Sequence, residues 1–355
     1  ESSERDAGLL STARLLLDAG ADPNTVDGRY KVPALHAVTG ERSVLPLARL
    51  LLERGANPTD GESVFHAAEH FHEDALELLL QAGADLNYVG DWGNTALWFL
   101  LRWWNLEQEP RVKQGLIWLL DHGADPNVRS GKDRETALHV AVARGQSPDI
   151  IRLLLQHGAD VNAPRVHAST PSLLARRGGF DEVATVLEGA GATTQALSPA
   201  DKLLEACNRG DVEAARRLGS PELLSTLAPS DRVLLIDAAA SGRWATVLAC
   251  FAAGFPIDGQ DDNGSTALHY AAIHGHADVV RALLQAGADF NIRDKEHSST
   301  PLGWATFGVD HDRDSAGDYE GTVKALLETG ARPRKDEYYP QNPGVRKLLR
   351  EFKPA

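Results

Sequence analysis

The chain has 355 residues, 43% hydrophobic and 24% charged, with no apolar run of about eighteen residues that could span a bilayer. Fifty Asp and Glu against 36 Lys and Arg give a formal net charge of −14, which argues against general binding to a phosphate backbone and leaves nucleic acid only a local basic patch. Two cysteines, Cys207 and Cys250, both in Ala-rich helical segments, exclude a disulfide framework, so core thiols in a reducing, cytoplasmic setting are expected.

The first residues, ESSERDAGLL, show no basic region followed by an apolar one, so no secretory signal is expected. From there one phrase returns along the chain: LLLDAGADPN at 15–24, LLLERGANP at 50–58, LLLQAGADLN at 78–87, LLDHGADPN at 119–127, LLLQHGADVN at 153–162 and LLQAGADFN at 283–291. Weaker copies are VLEGAGA at 186–192, CFAAGFPID at 250–258 and LLETGARP at 326–333. The shared Gly falls at 20, 55, 83, 123, 158, 191, 254, 287 and 330, with four of the eight intervals at 33 to 35 residues and the others at 28, 40, 43 and a double-length 63.

Each copy has one physical grammar. Thr136-Ala-Leu-His-Val-Ala, Thr266-Ala-Leu-His-Tyr-Ala and Thr300-Pro-Leu-Gly-Trp-Ala place a Thr that can cap a helix before a short apolar stretch, and Pro suits the first turn. A second helix carries the Leu run. Its closing Gly can take the left-handed conformation that ends a helix, and the Asp/Asn-rich segment beyond it turns toward the next unit.

These residues, T-[PA]-L-H-x-A and LLL-x-x-G-A-D-x-N at a 33-residue period, resemble the ankyrin repeat family over nearly the whole chain, in about nine to ten units. The resemblance implies an all-α solenoid of stacked helix-turn-helix units with projecting hairpin-like loops, and a concave face that binds other proteins without chemistry of its own. Two blocks are expected, 1–194 and 195–355, the second opening with the helical pair LLEACNRGDVEAARRL. The first carries an inserted segment near 102–114 and the second an acidic insertion near 308–321, and Asn342-Pro343 should cap a short amphipathic helix near 343–352 that closes the stack.

His66-Ala67-Ala68-Glu69-His70 matches the H-x-x-E-H pattern of some zinc peptidases, with His72 close behind. Register places it otherwise: with Ser63 as the Thr equivalent, His66 becomes the structural His of a unit, and one residue is missing between His66 and Ala67. No metal, cofactor or catalytic group is expected. Asp310, Asp312, Asp314 and Asp318 alternate as in a calcium loop, but Ser315 replaces the turn Gly and Gly321 the bidentate Glu.

Five of the seven Trp lie between 92 and 118. In register Trp98 replaces the structural His and Trp118 joins the second-helix core. On the face formed by loop tips and first-helix ends the family pattern places Arg29, Tyr30, Asp91, Trp92, Asn94, Arg102, Trp103, Arg134, Arg144, His167, Arg176, Arg177, Asp262, Asn263, Ile273, His274 and Phe307. Trp and Arg are the residue types of interface hot spots, and the Arg-rich middle of an acidic chain points to a partner with a locally acidic patch. A monomeric protein-binding scaffold is therefore expected, with no nucleic acid and no membrane involved. The alternatives are an inhibitor or immunity-type protein that occludes an enzyme or toxin, and a small-molecule receptor or hydrolase built on the aromatic insertion.

Overall fold

The computed structural model describes residues 2–26, 32–41, 43–90, 92–166, 169–311, 317–334 and 340–352. Among these the regular structure is helical, with isolated antiparallel bridges at loop bases such as Ser130 with Glu135 and Gln260 with Thr266. The chain forms two compact units, one of residues 1–176 and 180–195, the other of residues 177–179 and 196–355. Each has its own apolar core.

One repeat in the first unit shows why the sequence folds this way. Thr136 is the N-cap of the helix Ala137–Ala143 in extended backbone, and its N–H and hydroxyl both reach His139 Nδ1, at 3.3 and 2.8 Å. His139 Nε2 then donates to Ser169 O of the next loop at 3.2 Å, so one ring joins a cap to the neighbouring repeat. This short helix is apolar all round, with Ala137, Leu138, Val140, Ala141 and Val142 buried. It is sandwiched, and an amphipathic pattern would fail there.

The second helix, Pro148–Gln156, is one-sided: Ile150, Ile151 and Leu154 are buried while Asp149 and Arg152 pair in solvent at 2.7 Å. Gly158 ends it at φ +84°, and Gly287 does the same in the second unit at φ +94°. The Asn that closes the G-A-D-x-N phrases of the first unit is a clamp between repeats. Asn127 donates to Gly158 O at 2.8 Å and its Oδ1 accepts from Asp160 N at 2.7 Å, a pattern that Asn24 and Asn162 repeat on their own neighbours.

The second unit contains the helix pairs Ala267–Ile273 with Ala277–Gln285 and Pro301–His311 with Tyr319–Thr329. Its last helix, Pro343–Glu351, is capped by Asn342, which accepts from Val345 N at 3.0 Å, and buries Val345 and Leu349. Cys207 and Cys250 are both buried in this unit's core, where mutual contact and burial push the Cys250 thiol up.

Candidate interaction face

The aromatic insertion splits into an anchored half and a solvent half. The helix Ala96–Trp103 ends at Trp104, and the next begins at Pro110. Between them Leu106 is fully buried and Gln146 holds the chain down, donating to Leu101 O at 3.2 Å and Trp104 O at 2.6 Å while accepting from Leu106 N at 3.3 Å. The segment does not cover the neighbouring aromatics: Trp92 is 81% exposed and Trp103 64%. Trp98 and Trp118 pack in or against the core, as their register requires.

Arg102 lies 5.7 Å over the Trp98 ring, so its guanidinium is held against an aromatic face beside Trp103. Behind Trp92, Gly93 O accepts from Gly131 N at 2.5 Å, and Asp133 O accepts from Val166 N at 3.0 Å, tying successive loop tips together. Arg134 and Arg144 are exposed, and half-buried Arg176 donates to Gln195 O at 2.7 Å. Trp92, Trp103 and these arginines thus sit on loops and helix ends fixed from beneath.

Two predicted residues are not free for a partner, Asn94 by burial and half-buried Arg177 by its ion pairs. Asn94 is buried, because its backbone carbonyl closes the tip on Gly90 N and turns the side chain inward. Arg177 is bound to Asp201 and lies 3.6 Å from Asp231 in the second unit, so its charge is spent on the fold. Arg29, Tyr30, Asp91 and His167 lie outside the described residues. Of the acidic insertion, Asp312 and Asp314 also lie outside them; Asp310 accepts from Gln341 N and Asp318 caps the helix Tyr319–Thr329 through Gly321 N.

In the second unit Asp262 and Asn263 are exposed at a loop tip, and His274 is half-buried at a helix end. Asn263, Ile273 and Phe307 come together in the lining of a cavity of about 460 Å³ with Tyr270, Trp304 and Glu296. Phe307 stacks on His311 at 4.1 Å. The register marked three of these positions and missed Tyr270 and Trp304, which face the same space from the middle of their helices.

The H-x-x-E-H stretch needs a correction. His66 does not take the cap-bridging place of His139, because Ser63 lies inside the helix Ser63–Glu69 with Glu62 as its N-cap. The missing residue rotates the ring, which instead sits 2.6 Å from Glu69 Oε2 and 3.4 Å from Glu62 Oε2. Burial opposes its charge, but the two carboxylates outweigh it and raise His66 to about 9, the reverse of His139, which burial lowers to about 4. One ligand atom each from His36, Glu62 and His66 fall within 4.8 Å of one another, whereas the motif's own His70 and His72 stand apart from that group.

The sequence pattern of ankyrin repeats, in three copies, matches residues 66–165, 108–197 and 203–337. Human ankyrin repeat and SOCS box protein 6 is 32% identical over 188 residues, 48% of this chain and 39% of its own length. The Caenorhabditis elegans homologue of transient receptor potential cation channel subfamily A member 1 is 32% identical over 47% of this chain and 14% of its own length. The Arabidopsis thaliana E3 ubiquitin-protein ligase KEG is 30% identical over 77% of this chain and 17% of its own length. The chain therefore spans well under half the length of these relatives. With the family's pattern matched over most of its residues and the helix pairs, caps and loop clamps in place, the chain belongs to the ankyrin repeat family.

Proposed function

We propose that the chain is a non-catalytic scaffold that binds another protein through the loop tips and first-helix ends of its first unit. The observation that carries the reading is the pair Trp92 and Trp103, large aromatic rings that stand in solvent on backbone pinned by the Gly93 to Gly131 bond and by Gln146. A monomer gains nothing from exposing them, whereas a partner that covers them gains area at little ordering cost. Arg102, Arg134, Arg144 and Arg176 add guanidinium groups suited to carboxylates on that partner.

The test is capture from native extract by wild type and by a variant carrying Trp92→Ala, Arg102→Ala, Trp103→Ala and Arg176→Ala. Hot-spot truncations cost about 2 kcal/mol or more each and are not additive, so affinity should fall at least about a hundredfold. Melting should fall by only a few degrees, because Trp92 and Trp103 are exposed and cost within about 0.5 kcal/mol each, while half-buried Arg102 and Arg176 lose one ring contact and one hydrogen bond. Equal capture of the same partner by both proteins removes this face from the account.

A further inference from the structure

The cavity in the second unit has a chemistry of its own. Its lining includes Tyr270 and Trp304, edge to face with centroids 5.3 Å apart, and Phe307 one helical turn beyond Trp304. Neither polar hydrogen of these rings points into the space. The Tyr270 hydroxyl donates to Asp261 Oδ2 at 2.8 Å, and Trp304 Nε1 donates to Asp294 Oδ2 at 3.0 Å.

Both carboxylates accept further backbone hydrogen bonds. Asp294 is buried and also accepts from His297 N at 2.6 Å and Ser299 N at 3.0 Å, which outweighs the cost of burial and keeps its carboxyl below the ordinary range. Asp261 accepts from Asn263 N and Ser265 N at 2.9 and 2.8 Å. A ring that donates to a carboxylate becomes richer in electrons, and here a carboxylate lies at the polar edge of each ring. Both effects favour a cation in front of the faces.

The rim agrees in sign. Glu296 is exposed there and has no ion-pair partner among the described residues. Of the basic groups nearby, Lys295 Nζ donates to Asp262 O at 3.2 Å, and Arg334, which also lines the cavity, has a partner already. An anionic guest would meet π faces and carboxylates together, and an aliphatic one would strip water from Glu296 without pairing it.

We infer that this cavity receives one basic side chain, Arg or Lys, of a bound polypeptide, with the cation between Tyr270, Trp304 and Phe307 and paired to Glu296. The inference rests on the protein-binding reading for its occupant, but uses a different surface from Trp92 and Trp103.

The test follows the Trp304 indole N–H by ¹H–¹⁵N NMR, assigned with Trp304→Phe, during titration of the full chain with N-acetyl-Gly-X-Gly-amide where X is Arg, Lys, Leu or Glu. A saturable shift is expected with Arg and Lys and none with Leu or Glu over the same range. Glu296→Gln and Phe307→Ala, both at exposed positions and each checked for wild-type melting, should weaken the Arg peptide about threefold to tenfold. Trp92→Ala should leave it unchanged. Shifts of equal size with Leu, larger shifts with Glu, or none with any peptide would overturn the inference. Because no partner protein enters the titration, failure here with capture through Trp92 intact sinks the cavity alone, and the converse sinks only the first-unit face.

Discussion

Gly308→Ala should destabilise the second unit by about 3 kcal/mol or more, far beyond what one added methyl group costs in a surface helix. Gly308 lies in the helix Pro301–His311, where a Cβ would fall 2.1 Å from Ile273 O and 2.9 Å from Ile273 C. The obstacle is the backbone of the neighbouring helix Ala267–Ile273, so no side-chain rotation relieves it. The two repeats must move apart, and that opens the layer of Ala271, Ala272, Leu302 and Ala305, all buried. Gly287→Ala is the control: nothing stands within 4 Å of its Cβ position, and the cost there, about 1 kcal/mol, comes from φ +94° alone. Urea unfolding followed by circular dichroism separates the two, and equal midpoints for the two variants would contradict this packing.

Gln146→Leu should cost about 3 kcal/mol in the first unit and loosen the aromatic insertion without touching a surface residue. The side chain is buried and satisfies three backbone groups 40 to 45 residues away: Leu101 O, Trp104 O and Leu106 N. Leucine fills similar volume but leaves two carbonyls and one amide without partners, each worth about 1 to 3 kcal/mol when stranded. Amide hydrogen exchange at Leu106 should rise sharply while that of Leu138 changes little. Gln146→Glu keeps the acceptor and loses both donated bonds, so it should fall between. Unchanged exchange at Leu106 in the leucine variant would show that the insertion is held by something other than Gln146.

What the sequence revealed and what it hid divide by distance along the chain. The Thr136 cap, the His139 bridge and the glycine ends of Gly158 and Gly287 are short-range devices, each a residue type dictated by one turn of backbone, and they were legible as a repeating phrase. The Gln146 clamp was not, because a glutamine that bonds across 40 residues carries no local signature. Tyr270 and Trp304 were missed for a related reason. They stand at apolar positions inside their helices, and only the carboxylates Asp261 and Asp294 from adjoining loops, which take their polar hydrogens, make the pair a distinctive part of a cavity lining. Asn94 was misplaced since a tip register fixes where a residue sits but not which way the turn points it. His66 was misplaced since the single missing residue, noticed in the spacing, changes the helix phase and hands the ring to Glu62 and Glu69.

The most direct measurement of the central claim is photo-crosslinking from defined sites. A benzophenone side chain placed at Trp92 or Trp103 should crosslink one partner protein in native extract, while the same group at Arg152 or Lys324, on exposed faces of second helices, should not. Crosslinks to that partner from Arg152 or Lys324 and none from Trp92 or Trp103 would contradict a first-unit face built from loop tips and first-helix ends.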